Sequence, residues 1–85
     1  MYTIYVVTCA TPKHLYVGQT QNYEQRIASH KTGKSTSFIR RHGFRRIRMA
    51  AQANTRDEAI RLETGLYRRY TTAGYVVGGV NHRIQ

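Results

Sequence analysis

The sequence predicts an α+β domain, a small three-stranded antiparallel sheet flanked by helices. Three observations carry this. β-branched and aromatic residues crowd Tyr2 to Thr8 and resume at Leu15 after a turn marked by Pro12. Phe44 to Ala53 alternates Ile47, Met49 and Ala51 with Arg46, Arg48 and Gln52, the period of a half-exposed strand. Two helix-opening signatures, Asn22-Tyr23-Glu24-Gln25 and Thr55-Arg56-Asp57-Glu58, separate and follow the strands.

In chain order, Tyr2 to Thr8 is the first strand, Cys9 to His14 its turn and Leu15 to Gly18 the return, together a hairpin. Alternate residues point to opposite faces, so Ile4 and Val6 share one face with Leu15 and Val17, and Tyr5 shares the other with Tyr16 and Gly18. A helix opens at Asn22 and stops at Gly33; Ser35 to His42 forms a short second one ended by Gly43. The third strand follows, then a long helix from Thr55 to near Gly74. In the tail from Tyr75 to Gln85, Gly78 and Gly79 imply a tight approach of backbone to another element.

Eighty-five residues make a single domain, 1–85, with a modest core. Fourteen Lys and Arg against four Asp and Glu give a formal charge of +10, which selects a polyanionic partner. Nucleic acid leads; an anionic membrane surface is disfavoured, because no apolar run approaches the ~20 residues of a spanning helix. The start lacks a signal peptide's layout, so a soluble intracellular protein is expected, in cytoplasm, nucleoid or a phage-infected cell. The initial Met is read as favouring a complete chain. Cys9 is alone and reads as a packed thiol, and no Cys/His cluster has zinc-site spacing.

Three of the four acids have helix-end explanations. Glu24 falls in a first turn, and Asp57 and Glu58 belong to the T-x-x-E box. Glu63 has none. It lies on a stripe with Ala59, Leu62, Leu66, Tyr67 and Tyr70, where a carboxylate needs a cationic or hydrogen-bonding partner. Helix pattern alone favours a salt bridge to an arginine; a divalent cation is the alternative.

The ordered series Thr3-Ile4-Tyr5, Tyr16-Val17-Gly18, Arg26, His30, Glu63 and Asn81 resembles the signature of the GIY-YIG nuclease superfamily, which includes homing endonucleases and small stand-alone domains. The likeness spans essentially the whole chain. Thr3 stands where the first motif usually has Gly, and Val17 where the second has Ile. The chemistry-bearing residues of the series all remain.

The resemblance implies a metal-dependent endonuclease that hydrolyses one phosphodiester strand per active site. In that scheme Glu63 is the sole protein ligand of one divalent ion, Mg²⁺ with Mn²⁺ as substitute, and no second inward acid serves a second metal. Arg26 donates to phosphate oxygens, as guanidinium geometry suits. Tyr5 acts as general base and Tyr16 orients the water or relays its proton. A free phenol, of pKa ~10, needs a cationic environment to serve as base. His30, one turn after Arg26, is read either as a proton relay or as a residue complementing the helix dipole. Asn81 braces the site. His14, His42 and His82 receive no role.

Lys31, Lys34, Arg40, Arg41, Arg45, Arg46 and Arg48 are read with Arg26 as a surface that tracks a DNA backbone, with Ser35, Thr36 and Ser37 as further donors. No base-reading module accompanies them, so sequence preference is expected to be weak. Nothing reads the sugar, which leaves RNA open beside DNA. A double-strand break would need a dimer or sequential nicking, and targeting would need a recruiting protein. The rival reading is a non-catalytic basic module in which the tyrosines stack bases or fill core and Glu63 pairs with an arginine.

Overall fold

The computed structural model describes residues 1–32 and 36–79. Its elements are β1 (Tyr2–Cys9), β2 (His14–Thr20), α1 (Tyr23–Lys31), α2 (Ser37–His42), β3 (Phe44–Ala53), α3 (Arg56–Thr72) and β4 (Val76–Gly79). The strands form one sheet in the order β3-β1-β2-β4. β1 pairs antiparallel with both β2 and β3, as expected, but β4 lies parallel to β2, from His14 opposite Val76 to Val17 opposite Gly79. The sheet is therefore four-stranded and mixed, not three-stranded and antiparallel.

β4 escaped the sequence reading because a run ending in two glycines has weak strand propensity. Both glycines are needed for contact. A Cβ on Gly78 would meet the Phe38 ring at 2.5 Å, and one on Gly79, at φ +103, would strike the Val17 carbonyl. The tight approach inferred for the tail is thus made by Gly78 to α2 and by Gly79 to β2.

The hairpin parity gives the sheet two different faces. Val6 lies opposite Val17, and Ile4 opposite Gln19, while Tyr5 lies opposite Gly18 and Val7 opposite Tyr16. Ile4, Val6, Leu15, Val17, Ala53 and Val77 pack with Ala59 of α3. Tyr5, Val7 and Ile39 of α2 form the second core, flanked by Tyr16, Tyr23, Phe44 and Ile47. One long helix covers the aliphatic face and two short ones the aromatic face. β3 departs from simple alternation, since its register against β1 shifts by one residue at Arg45 and again at Ala50. Ile47 consequently joins the aromatic core, whereas Ala50 and Ala51 pack against the aliphatic one.

The capping residues of α1 and α3 act as read: Asn22 Oδ1 accepts from Gln25 N–H, and Thr55 Oγ1 accepts from Glu58 N–H at 3.1 Å. Thr36, read only as a phosphate donor, caps α2, which starts at Ser37. Glu58 returns a carboxylate oxygen to the N–H of Asn54 at 2.9 Å, one residue earlier than the usual reciprocal bond. α1 ends at Lys31; the stop assigned to Gly33 lies outside the described residues. Cys9 is buried, and burial pushes its thiol up to about 11, so it stays protonated and unreactive at neutral pH. Among the described residues no helix is long and apolar enough to cross a membrane.

Candidate active site

Tyr5, Tyr16 and His30 meet on the aromatic face. Strand parity supplies the two phenols from adjacent strands, and α1 lays His30 across them. The Tyr5 and Tyr16 rings are stacked with centroids 6.3 Å apart, and His30 lies 5.5 Å from Tyr5 and 5.9 Å from Tyr16. The Tyr5 hydroxyl and His30 Nε2 are hydrogen-bonded at 3.1 Å. Both residues are almost fully enclosed, with Tyr5 2 % and His30 1 % exposed, while Tyr16 is half-buried at their rim.

Burial, and then the Arg26 guanidinium one turn earlier, lower His30 to about 4. Its imidazole is therefore neutral at pH 7, the form able to accept the phenolic proton. A stability prediction follows from the sign of this shift. Between pH 6.5 and about 4 the unfolded chain takes up a proton that the folded chain refuses, so the contribution present at neutral pH is lost as pH falls through that window. Relative to His30→Gln, the wild type should lose on the order of 2 kcal/mol more between pH 7 and pH 4 in denaturant titrations.

Gly18 makes the Tyr5 position available. A Cβ there would lie 2.5 Å from the Tyr5 hydroxyl and 3.1 Å from the Tyr16 ring. The phenol rests directly on bare backbone.

Glu63 belongs to the other face. It projects from α3 and is 1 % exposed, as its place on the apolar stripe implied. Gln19, the residue after Gly18 and so on the opposite side of β2, donates an amide N–H to its carboxylate at 2.8 Å. Neighbouring residues of β2 thus serve opposite faces, Gly18 lying under Tyr5 and Gln19 meeting Glu63.

Arg26 is exposed on α1 and lines two adjoining concavities, each of about 230 Å³. One is walled by Thr20, Asn22, Gln25 and Ser29; the other by Tyr2, Gln19, Thr20, Gln21 and Arg56. The second crosses the end of the sheet, where Arg26 from one layer and Arg56 from the other share a cavity. Arg56 was read only as part of a capping box. The signal that could have singled it out is electrostatic, because a cation in a helix's first turn opposes the macrodipole.

The described members of the basic series are spread over several elements. Lys31 and Arg40 gather with His30 around a cavity of about 480 Å³, and Arg41 lines another with Phe38 and His42. Arg45 is the extra residue of a bulge. Arg46 and Arg48, opposite Thr8 and Val6, lie on the α3 face, where Arg48 donates to the Tyr70 hydroxyl. Strand parity thus sets Arg46 and Arg48 on the face opposite the one that α1 and α2 cover. Lys34 and Asn81 lie outside the described residues. The rings of His14 and His42, given no role, pack tilted at 35° with centroids 4.2 Å apart and join the start of β2 to α2. Burial, then His14 and Arg41, hold His42 below the ordinary histidine range.

The donors around Glu63 fit a hard divalent cation. Gln19 Oε1, at the other end of the amide that donates to the carboxylate, is buried and has no hydrogen-bond partner among the described residues. Among the described residues no three His, Cys, Asp or Glu side chains cluster. Such a sparse oxygen set suits Mg²⁺, which retains several waters.

Comparison with curated proteins and with solved structures finds no match. The sequence model described as the GIY-YIG catalytic domain matches residues 1–76 of the 85. With nearly the whole chain covered, from the tyrosine hairpin to the start of β4, the protein belongs to the GIY-YIG catalytic domain family, a family of nucleases.

Proposed function

We propose that this chain is a metal-dependent DNA endonuclease that nicks one strand per active site. The observation that carries the reading is the hydrogen bond between Tyr5 and a neutral His30, beside an arginine that lines an open cavity. Tyr5 takes a proton from the attacking water, which Tyr16 orients at the rim, while its own phenolic proton passes to His30 Nε2 in the same step, so that only phenolate character develops on Tyr5. Enclosure of the pair limits competing water. Arg26 binds the phosphate oxygens across its two concavities, and its positive field favours the phenolate. Glu63 holds a divalent cation, Mg²⁺ or Mn²⁺, whose chemistry when bound is to offset charge on the phosphate and the departing oxygen. Lys31, Arg40 and Arg41 hold flanking phosphates, Arg45 standing beside them, while Arg46 and Arg48 serve any DNA that reaches the opposite face. Asn81 keeps its bracing role and Lys34 a phosphate contact. DNA is the partner preferred over RNA, and a dimer or a recruiting protein would be needed for paired or targeted cuts.

A second reading has an observation in its favour. Tyr5 is as buried as any core side chain, which suits a non-catalytic basic module in which Tyr5 and Glu63 are structural. Supercoiled plasmid with Mg²⁺ or Mn²⁺ separates the two. Wild type should nick, and Tyr5→Phe should retain DNA binding while cutting at least about 10²-fold more slowly. An inert wild type across metals and salts would give the second reading the case.

Placement also distinguishes the arginines. Arg26→Ala should cost about 10²- to 10³-fold in cleavage rate and Arg48→Ala no more than a few-fold, since Arg48 is engaged on the far face. Comparable losses would reduce Arg26 to one more surface cation.

A further inference from the structure

We infer that Gln19 is a positioning residue and second oxygen donor for the divalent cation: its amide N–H fixes the Glu63 carboxylate, and its amide oxygen faces the same ion. The inference rests on the nuclease reading for the presence of that ion. Its structural basis is independent of any tyrosine chemistry.

Gln19 is placed by the same alternation that places Gly18. Directly opposite Ile4, it must face α3, and there it meets Glu63 with a 2.8 Å hydrogen bond. One end of the amide is thereby committed. The other end, Oε1, is buried without a hydrogen-bond partner among the described residues. A buried acceptor with no donor is destabilising, and a persistent one calls for a guest. What the guest must be follows from its neighbours: a carboxylate and an amide oxygen together attract a hard cation, whereas neither attracts an anion.

Gln19 also lines the cavity that Arg26 and Arg56 share. It therefore links the enclosed Glu63 to the place where a phosphate would be held. The two guanidiniums make that cavity repellent to a lone cation, so a single carboxylate is a weak anchor there and a neutral oxygen donor adds to it. A glutamine does this without adding charge. It also explains why the residue following Gly18 is polar although it faces an aliphatic core.

The test is Mn²⁺ binding to the full chain without DNA, followed by electron paramagnetic resonance, for wild type, Gln19→Leu, Gln19→Glu and Glu63→Gln. Gln19→Leu keeps the bulk but removes both functions and should weaken Mn²⁺ by about 10- to 100-fold in a protein whose circular dichroism matches the wild type. Gln19→Glu loses the N–H donor but keeps an oxygen, and should restore affinity to wild type or better. Its melting temperature should rise more on Mn²⁺ addition than that of the wild type, because the ion then relieves two adjacent carboxylates. If Glu63→Gln loses Mn²⁺ while Gln19→Leu binds like wild type, the Gln19 assignment is wrong and the metal reading stands. Gln19→Glu binding as weakly as Gln19→Leu would equally overturn it. A wild type that binds no Mn²⁺ would remove both.

Discussion

Glu63→Gln should abolish metal-dependent nicking, by about 10³-fold or more, and leave a folded protein. The substitution preserves volume and keeps an oxygen to accept the Gln19 N–H, so neither the packing of α3 nor the 2.8 Å hydrogen bond has to be lost. What disappears is the charge. If Glu63 were only structural, paired with an arginine, the exchange would lower thermal stability and cutting would persist, since removing one charge of a buried pair leaves the other uncompensated. Plasmid nicking and thermal unfolding measured on the same preparation decide the matter. Nicking within tenfold of wild type would take Glu63 out of the site.

Gly18→Ala should be nearly as damaging, although it adds one methyl group. In an ordinary strand the change would be stabilising by about 0.5–1 kcal/mol. Here the added carbon falls 2.5 Å from the Tyr5 hydroxyl and 2.7 Å from the ring carbon that bears it. Tyr5 has nowhere to yield, hemmed by Tyr16, Tyr23 and His30. Overpacking of this kind costs about 1–3 kcal/mol, and displacement of the ring breaks the bond to His30. Cleavage should fall about 10²-fold, as for Tyr5→Phe, and the double variant should cut no worse than either single. Its stability should exceed that of Gly18→Ala, because Tyr5→Phe removes the nearest clashing atom. Wild-type cleavage by Gly18→Ala would show that the Tyr5–Gly18 contact is immaterial.

Local signals made most of the scaffold legible. Side-chain period fixed the two faces of the hairpin, and short polar spacings located the starts of α1 and α3 to within one residue. What could not be seen depends on partners distant in sequence. The parallel alignment of β4 needs β2, whose pairing no local pattern encodes. The bulge at Ala50 moves Ala51 to the face opposite Ile47, although an unbroken period of two would have put them together. The burial of Glu63 was legible from its stripe, but Gln19, which donates to it, carries no marking in a one-dimensional reading. The same holds for Arg56, whose cavity exists only once α1 and α3 are brought to the same end of the sheet. The ordered motif identified the residues of interest more readily than their sides of the sheet.

The position of β4 also bears on when the protein becomes competent. Strand β2, which carries Tyr16, Gly18 and Gln19, acquires its second neighbour only through the pairing of His14 to Val17 with Val76 to Gly79. That contact joins the early hairpin to nearly the last described residues, so its loop closes late and slowly. During synthesis the tyrosine hairpin emerges well before β4 and waits, one strand short, until that segment follows. A phosphodiester-cutting site assembled on β2 would thus stay idle on the nascent polypeptide until β4 has left the ribosome.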